Sequence, residues 1–173
     1  TTGCAGPFVE FTAGSTTSYY GGTAFAETHY GNVFVCEPSG NLIKRNVVKE
    51  KDFLLSAYDP HPGKEFLAST DERFRPVNLA TGPDGALYVA DMYRGLIQHG
   101  AYVTPYLREQ TLLRKLVLPV NRGRIWRVVP EDWTPEKPAK LSKMSLQELV
   151  DFLSHPNGWY RDMAQRLIVE KGD

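Results

Sequence analysis

The sequence predicts a mainly β chain of antiparallel hairpins, followed by a short α-helical hairpin. Two apolar-turn-apolar blocks of like form carry the β prediction. Val33-Phe34-Val35, the turn Pro38-Ser39-Gly40-Asn41 and Leu42 to Val48 make the first; Val77-Asn78-Leu79, the turn Gly82-Pro83-Asp84-Gly85 and Ala86 to Ala90 make the second. The third observation sets the helical end. Ser145 with Glu148 reads as a capping box, and Leu146, Leu149, Val150 and Leu153 then fall on one helical face.

The elements follow in order. Residues 8 to 30 mix β-formers with Gly, Ser and Thr and predict strand pieces. The two hairpin turns, at Gly40 and Gly85, lie 45 residues apart, which fits the blade period of a β-propeller. A doubly wound fold would need helices between them. Lys49 to Phe53 is charged and edge-like, Lys44 and Arg45 are expected to face solvent, and Asp59-Pro60-His61-Pro62-Gly63 is a loop whose prolines disfavour regular structure. Thr104 as N-cap and Pro105 at the first helical position predict a helical insertion within 102–118. Arg124 to Val129 alternates as a strand. The Pro-rich stretch 131–144 reads as a linker between residues 1–130, the propeller blades, and residues 145–173. His155-Pro156-Asn157-Gly158 separates the two helices, and Trp159, Met163, Leu167 and Ile168 form the apolar face of the second. One helical hairpin cannot bury itself alone, as in helical repeats that need neighbours.

Composition excludes several functions. Twenty basic and twenty acidic residues cancel, and no run of Lys or Arg exceeds two, which argues against a nucleic-acid partner. No stretch of eighteen apolar residues predicts a membrane span, and the first residues lack the pattern of a signal peptide. The chain begins in mid-pattern and reads as a piece of something longer. The histidines His29, His61 and His155 have no partners at metal-ligand spacing, there is no G-x-S-x-G elbow, and no C-x-x-C-H motif is present to attach a haem. The two cysteines, Cys4 and Cys36, read from the residues alone as a pair of buried thiols or as a bonded pair.

Pro83-Asp84-Gly85-Ala86-Leu87-Tyr88-Val89 resembles the repeating hairpin of β-propeller sugar dehydrogenases of the pyrroloquinoline-quinone (PQQ) type. The longer series Glu65 to Asp71, Phe74 to Asn78 and Asp91-Met92-Tyr93-Arg94 is similar to a narrower group. These are the "membrane-bound dehydrogenase" proteins of planctomycetes and verrucomicrobia, in which a propeller precedes HEAT-like repeats and a c-type cytochrome domain. The resemblance implies a periplasmic or secreted protein that oxidises a sugar or polyol with PQQ, accompanied by calcium, and passes electrons to a cytochrome domain elsewhere. The remainder of the propeller would also lie elsewhere. Export in turn implies a Cys4–Cys36 disulfide, closing a loop of about thirty residues worth roughly 3 kcal/mol.

The same resemblance assigns candidate site residues. Arg73-Phe74-Arg75-Pro76-Val77 is similar to the Arg-x-Arg-x-Val segment that contacts the quinone carboxylates in these dehydrogenases, with Pro76 where an acidic residue is usual. A guanidinium suits that task because its planar fork meets a carboxylate through two hydrogen bonds. Asp91, Tyr93, Arg94 and His99 follow the strand Ala86 to Ala90 and would line a polar pocket, with Asp91 and His99 as candidate catalytic groups and Arg94 joining Arg73 and Arg75 toward the cofactor. The plainer alternatives are an Asp91–Arg94 pair that organises the loop, and solvated arginines. Two functions therefore stand: part of a propeller-type dehydrogenase, or a non-catalytic propeller module that binds a glycan or protein partner or serves as a structural subunit of a periplasmic assembly.

Overall fold

A computed structural model describes residues 13–135 and 137–172. Among the described residues, eight strands and three α-helices follow one another: β1 (Thr17–Tyr19), β2 (Val33–Glu37), β3 (Leu42–Lys51), β4 (Leu54–Tyr58), β5 (Leu67–Ala68), β6 (Pro76–Thr81), β7 (Leu87–Asp91), α1 (Pro105–Leu113), β8 (Arg124–Val128), α2 (Leu146–Asp151) and α3 (Gly158–Lys171). The fold is mainly antiparallel sheet with three helices. One sheet runs β1-β2-β3-β4 with β5 also paired to β3, and a second runs β6-β7-β8.

Both expected hairpins form. In the first, Cys36 faces Ile43 and Phe34 faces Arg45, and the turn between them is closed by Asn41 in the left-handed region at φ 58°. Asparagine tolerates that conformation better than other side-chain-bearing residues. The alternating burial of β2 places Phe34 and Cys36 inward, where Phe34 meets Phe66 edge-on at 4.7 Å. In the second, Gly82 and Asp84 frame a turn in which Gly85 adopts φ 77° and Gly82 N–H bonds to the carbonyl of Ala86 at 3.0 Å.

Two local readings are corrected. The charged stretch Lys49 to Phe53 is the tip of a further hairpin, because β3 continues to Lys51 and pairs with β4 through a two-residue turn at Asp52 and Phe53, both left-handed. Phe53, Leu54 and Leu55 stand exposed on that tip. Arg45 does not face solvent: it is 8% exposed, and burial lowers its pKa from the ordinary value. Lys44 pairs with Asp59 at 2.6 Å and Glu65 at 3.5 Å, which holds the proline-rich loop against β3.

The helical elements start where their caps dictate. Thr104 Oγ1 accepts from Leu107 N–H at α1, with Pro105 in the first turn. Ser145 and Glu148 form the reciprocal capping box at α2. A 3-10 turn, Phe152–Ser154, links α2 to the break at His155 and Pro156.

The chain falls into two compact units that interleave in sequence. The first contains the described part of Thr1–Ser18, Val33–Leu79 and Val89–Trp126; the second contains Tyr19–Asn32, Ala80–Tyr88 and Arg127–Asp173. The helices α2 and α3 therefore share a unit with the Gly82–Gly85 turn, while α1 belongs to the first. Asn157, 1% exposed, donates from Nδ2 to the carbonyls of Gly82 at 3.0 Å and Pro83 at 3.2 Å. Its Oδ1 accepts from Trp159 N–H at 3.0 Å and so caps α3. Leu141, Leu149, Tyr160 and Ala164 form a buried hydrophobic cluster among the helical elements of this unit. Among the described residues, no helix is long and apolar enough to cross a membrane.

Candidate functional site

The candidate site is built in the first unit around Asp91, the last residue of β7. Asp91 is 2% exposed. Its Oδ1 accepts from the backbone N–H of Arg75 and of Tyr93, both at 2.8 Å. Its Oδ2 accepts from Trp126 Nε1 at 3.0 Å and from Arg124 Nη2 and Nε at 3.2 and 3.3 Å. The strand geometry explains why Arg124 and Trp126 arrive together: they lie two apart in β8, so their side chains leave the same face. Tyr93, at φ 48°, turns the chain directly after β7, and the Arg124 guanidinium lies 3.6 Å from its ring centre and 4.7 Å from that of Trp126.

The result is a guanidinium held in one orientation by a buried carboxylate and flanked by two aromatic rings. Arg124 retains 38% exposure of its side chain, and Asp91 takes only its Nε and Nη2. The Nη1 edge is thus left to meet a planar acceptor or a pair of hydroxyls.

Asp91 itself is badly placed to move a proton. A carboxylate that already accepts five hydrogen bonds and has no exposed side-chain surface presents no lone pair to a substrate. Its partner is Arg124 rather than Arg94. His99 is exposed, and its Nδ1 accepts from Ala101 N–H at 3.3 Å, capping the 3-10 turn Gly100–Tyr102. That bond uses the basic nitrogen of the neutral ring and leaves the proton on Nε2.

The three anticipated cofactor arginines do not present a common cradle. Arg75 is 8% exposed and its guanidinium is committed to backbone oxygens: Nε to Arg94 at 2.9 Å, Nη2 to Gly95 at 2.9 Å, and Nη1 to Pro38 at 2.7 Å and Ser39 at 3.3 Å. Burial lowers its pKa from the ordinary arginine value, with Glu72 and Asp91 acting in the opposite direction. It clasps the β2–β3 turn to the loop after β7. Arg73 donates to the carbonyls of Lys115 and Leu118, and Arg94 joins the cluster through its own carbonyl. A quinone carboxylate would therefore find at most one free N–H on Arg75, so these residues do not fit a quinone by themselves. Among the described residues, no group of three or more His, Cys, Asp or Glu side chains is placed to hold a metal ion. Cys36 is a free thiol, and burial pushes its pKa up to about 11; Cys4, its expected partner, lies outside the described residues.

Arg124 and Trp126 were the residues missing from the sequence reading. Their alternation in β8 was visible, but nothing local tied them to Asp91, more than thirty residues earlier and beyond α1.

Fold and site together define an antiparallel-sheet chain with a helical end and an aromatic-flanked arginine on a buried carboxylate. The chain belongs to the family described as a domain of unknown function, DUF7133, whose model matches residues 3–132. No curated protein and no solved structure matches it.

Proposed function

We propose that the chain is the closing part of a β-propeller joined to the first helices of a HEAT-like repeat, within an exported dehydrogenase-like protein. That protein would oxidise a sugar or alcohol with a quinone and pass electrons to a c-type cytochrome domain outside this chain. The observation that carries the reading is the pair of hairpins of like form, one within a sheet ordered β1-β2-β3-β4 and one extended by β8, with the site at the end of β7. The four-strand path of the first sheet, with β5 added beside β3, and the three strands of the second suit successive blades. In this reading the chain builds funnel wall and offers Arg124 to the ligand. The base and the main quinone contacts come from other blades.

A second reading, a propeller module that binds a glycan or protein without catalysis, is favoured by one specific observation. Asp91 and Arg75, the groups with the best chemistry for turnover, are spent on internal hydrogen bonds. Full-length parent protein titrated with PQQ by calorimetry, then assayed for dye-linked oxidation of sugars and polyols, separates the two. Quinone binding with turnover, weakened about tenfold in binding by Arg124→Ala, is expected for the dehydrogenase. Absence of quinone binding by the full-length protein refutes it and leaves the binding module.

A further inference from the structure

The second unit contains a cleft of about 480 Å³ that the Arg124 site does not use. Gly22, Thr23, Phe25, Glu27 and Tyr30 line it on one side, and Ser154, His155, Pro156 and Arg161 on the other. Its size lies within the range of small-molecule sites, roughly 300 to 1,000 Å³.

The walls are tied together in advance of any ligand. Gly158 N–H bonds to the carbonyl of Gly21 at 2.8 Å, and Arg161 Nη2 donates to Tyr30 Oη at 2.9 Å. Arg161 Nη1 is fixed by the carbonyls of His155 at 2.6 Å and Pro156 at 2.9 Å. Across the cleft, Tyr20 Oη accepts from Phe25 N–H at 3.1 Å and donates to the carbonyl of Gly85 at 2.6 Å, which sets the loop that carries Phe25. His155 Nδ1 accepts from Asn157 N–H at 3.0 Å, so the neutral ring keeps its proton on Nε2, and the ring stacks on Phe152 with an interplanar angle of 5°.

The lining chemistry narrows the ligand. One acidic and one basic side chain give no net charge to select an anion or a cation. Phe25 and Tyr30 supply aromatic surface, while Gly22 and Pro156 supply apolar surface without charge. Glu27 is an acceptor with no hydrogen bond to any other described side chain, and Arg161 has Nε and one Nη2 hydrogen beyond its three bonds. Thr23 and His155 add a hydroxyl and an imidazole N–H. A ligand that matches has an apolar face for the aromatic rings and a rim of hydroxyls that both donate and accept. We propose that this cleft binds a monosaccharide-sized unit of a neutral carbohydrate, with Glu27 and Arg161 on its hydroxyls and Phe25 or Tyr30 against its C–H face. The site is independent of the Arg124 cluster and of the dehydrogenase reading.

The test is a chemical-shift titration of the ¹⁵N-labelled chain with a panel of neutral hexoses and their disaccharides. Glucuronate, an alkylammonium salt and a short apolar peptide are the comparison ligands. Saturable shifts confined to the amides of residues 21–30 and 154–161, for a neutral sugar only, are expected. Glu27→Gln and Phe25→Ala should each weaken binding about tenfold while the remaining amide spectrum stays in place. Glu27 is exposed and its only internal bond is through its backbone carbonyl, so a change of its side chain tests the proposal even if Phe25→Ala perturbs the fold. Unchanged affinity in Glu27→Gln, stronger binding of any comparison ligand, or no saturable shift with any neutral sugar overturns the proposal.

Discussion

Removal of the Asp91 carboxylate is the sharpest test of the site's construction. Asp91→Ala leaves the N–H groups of Arg75 and Tyr93 and the indole N–H of Trp126 without their acceptor, and frees Arg124. Counted at about 1 kcal/mol net each, below the usual range for an ionised acceptor, the three N–H bonds to the carboxylate give at least about 3 kcal/mol. The ion pair adds about 1 kcal/mol or less, because Arg124 is 38% exposed and water screens it. The expected loss is about 4 kcal/mol, a large share of the total for an ordinary domain. With an m-value of about 2 kcal/mol/M, that moves a urea midpoint down by about 2 M. Asp91→Asn keeps Oδ1 for the two backbone donors but sets an amide NH₂ against Trp126 and Arg124, and should lose about half as much. Arg124→Ala should lose about 1 kcal/mol or less. Equilibrium urea unfolding followed by tryptophan fluorescence and circular dichroism measures all three. An Asp91→Ala midpoint within experimental error of the parent's refutes the reasoning, as does an Arg124→Ala loss as large as that of Asp91→Ala.

Three further outcomes are expected. Gly85→Ala should cost at least about 2 kcal/mol, because the residue sits at φ 77° and a Cβ would lie 2.4 Å from Thr23 Oγ1 and 2.8 Å from Thr23 N; thermal unfolding checks it. Asn157→Ala should cost about 2 to 3 kcal/mol by removing the α3 cap and the bonds to Gly82 and Pro83 together, and hydrogen exchange should rise at Trp159. Cys36 should resist a disulfide-exchange reagent at pH 8 and react once denatured, whereas a Cys4–Cys36 disulfide would block labelling until reductant is added. Since the folded thiol titrates near 11 and its ordinary value is 9, the folded state holds the extra proton between those values, so this group makes stability fall as pH rises from about 9 to about 11.

What was legible in the sequence was what local chemistry decides. Asn41 and Gly85 mark turns because few other residues adopt their left-handed backbone angles; Ser145, Glu148 and Thr104 mark helix starts because their side chains satisfy the first N–H groups, and Pro105 because it has no N–H to satisfy. The β3–β4 hairpin escaped notice because its turn puts a bulky Phe53 at φ 63°, a residue type that rarely signals a left-handed turn, and because charged residues cover the end of β3. Arg45 reads as solvated, since charged residues are seldom buried without a partner, and Arg75 reads as a contact to a cofactor rather than as an internal clasp. For Arg75 the partners are backbone carbonyls of two distant loops, and a carbonyl carries no mark in the sequence.

That last point bears on how the arginines should be weighed. A guanidinium has five donors, and a motif match says nothing of how many remain after folding. Arg75 keeps one and lies buried; Arg124, which no motif singled out, keeps its Nη1 edge and over a third of its surface. Substituting Arg75 would remove four bonds to backbone carbonyls, so any loss of ligand binding in Arg75→Ala would be inseparable from loss of structure. Arg124→Ala breaks two bonds to a carboxylate that retains three other donors. Arg124 is therefore the position where a change in ligand affinity can be read free of a change in fold, and the titration of the full-length protein turns on it.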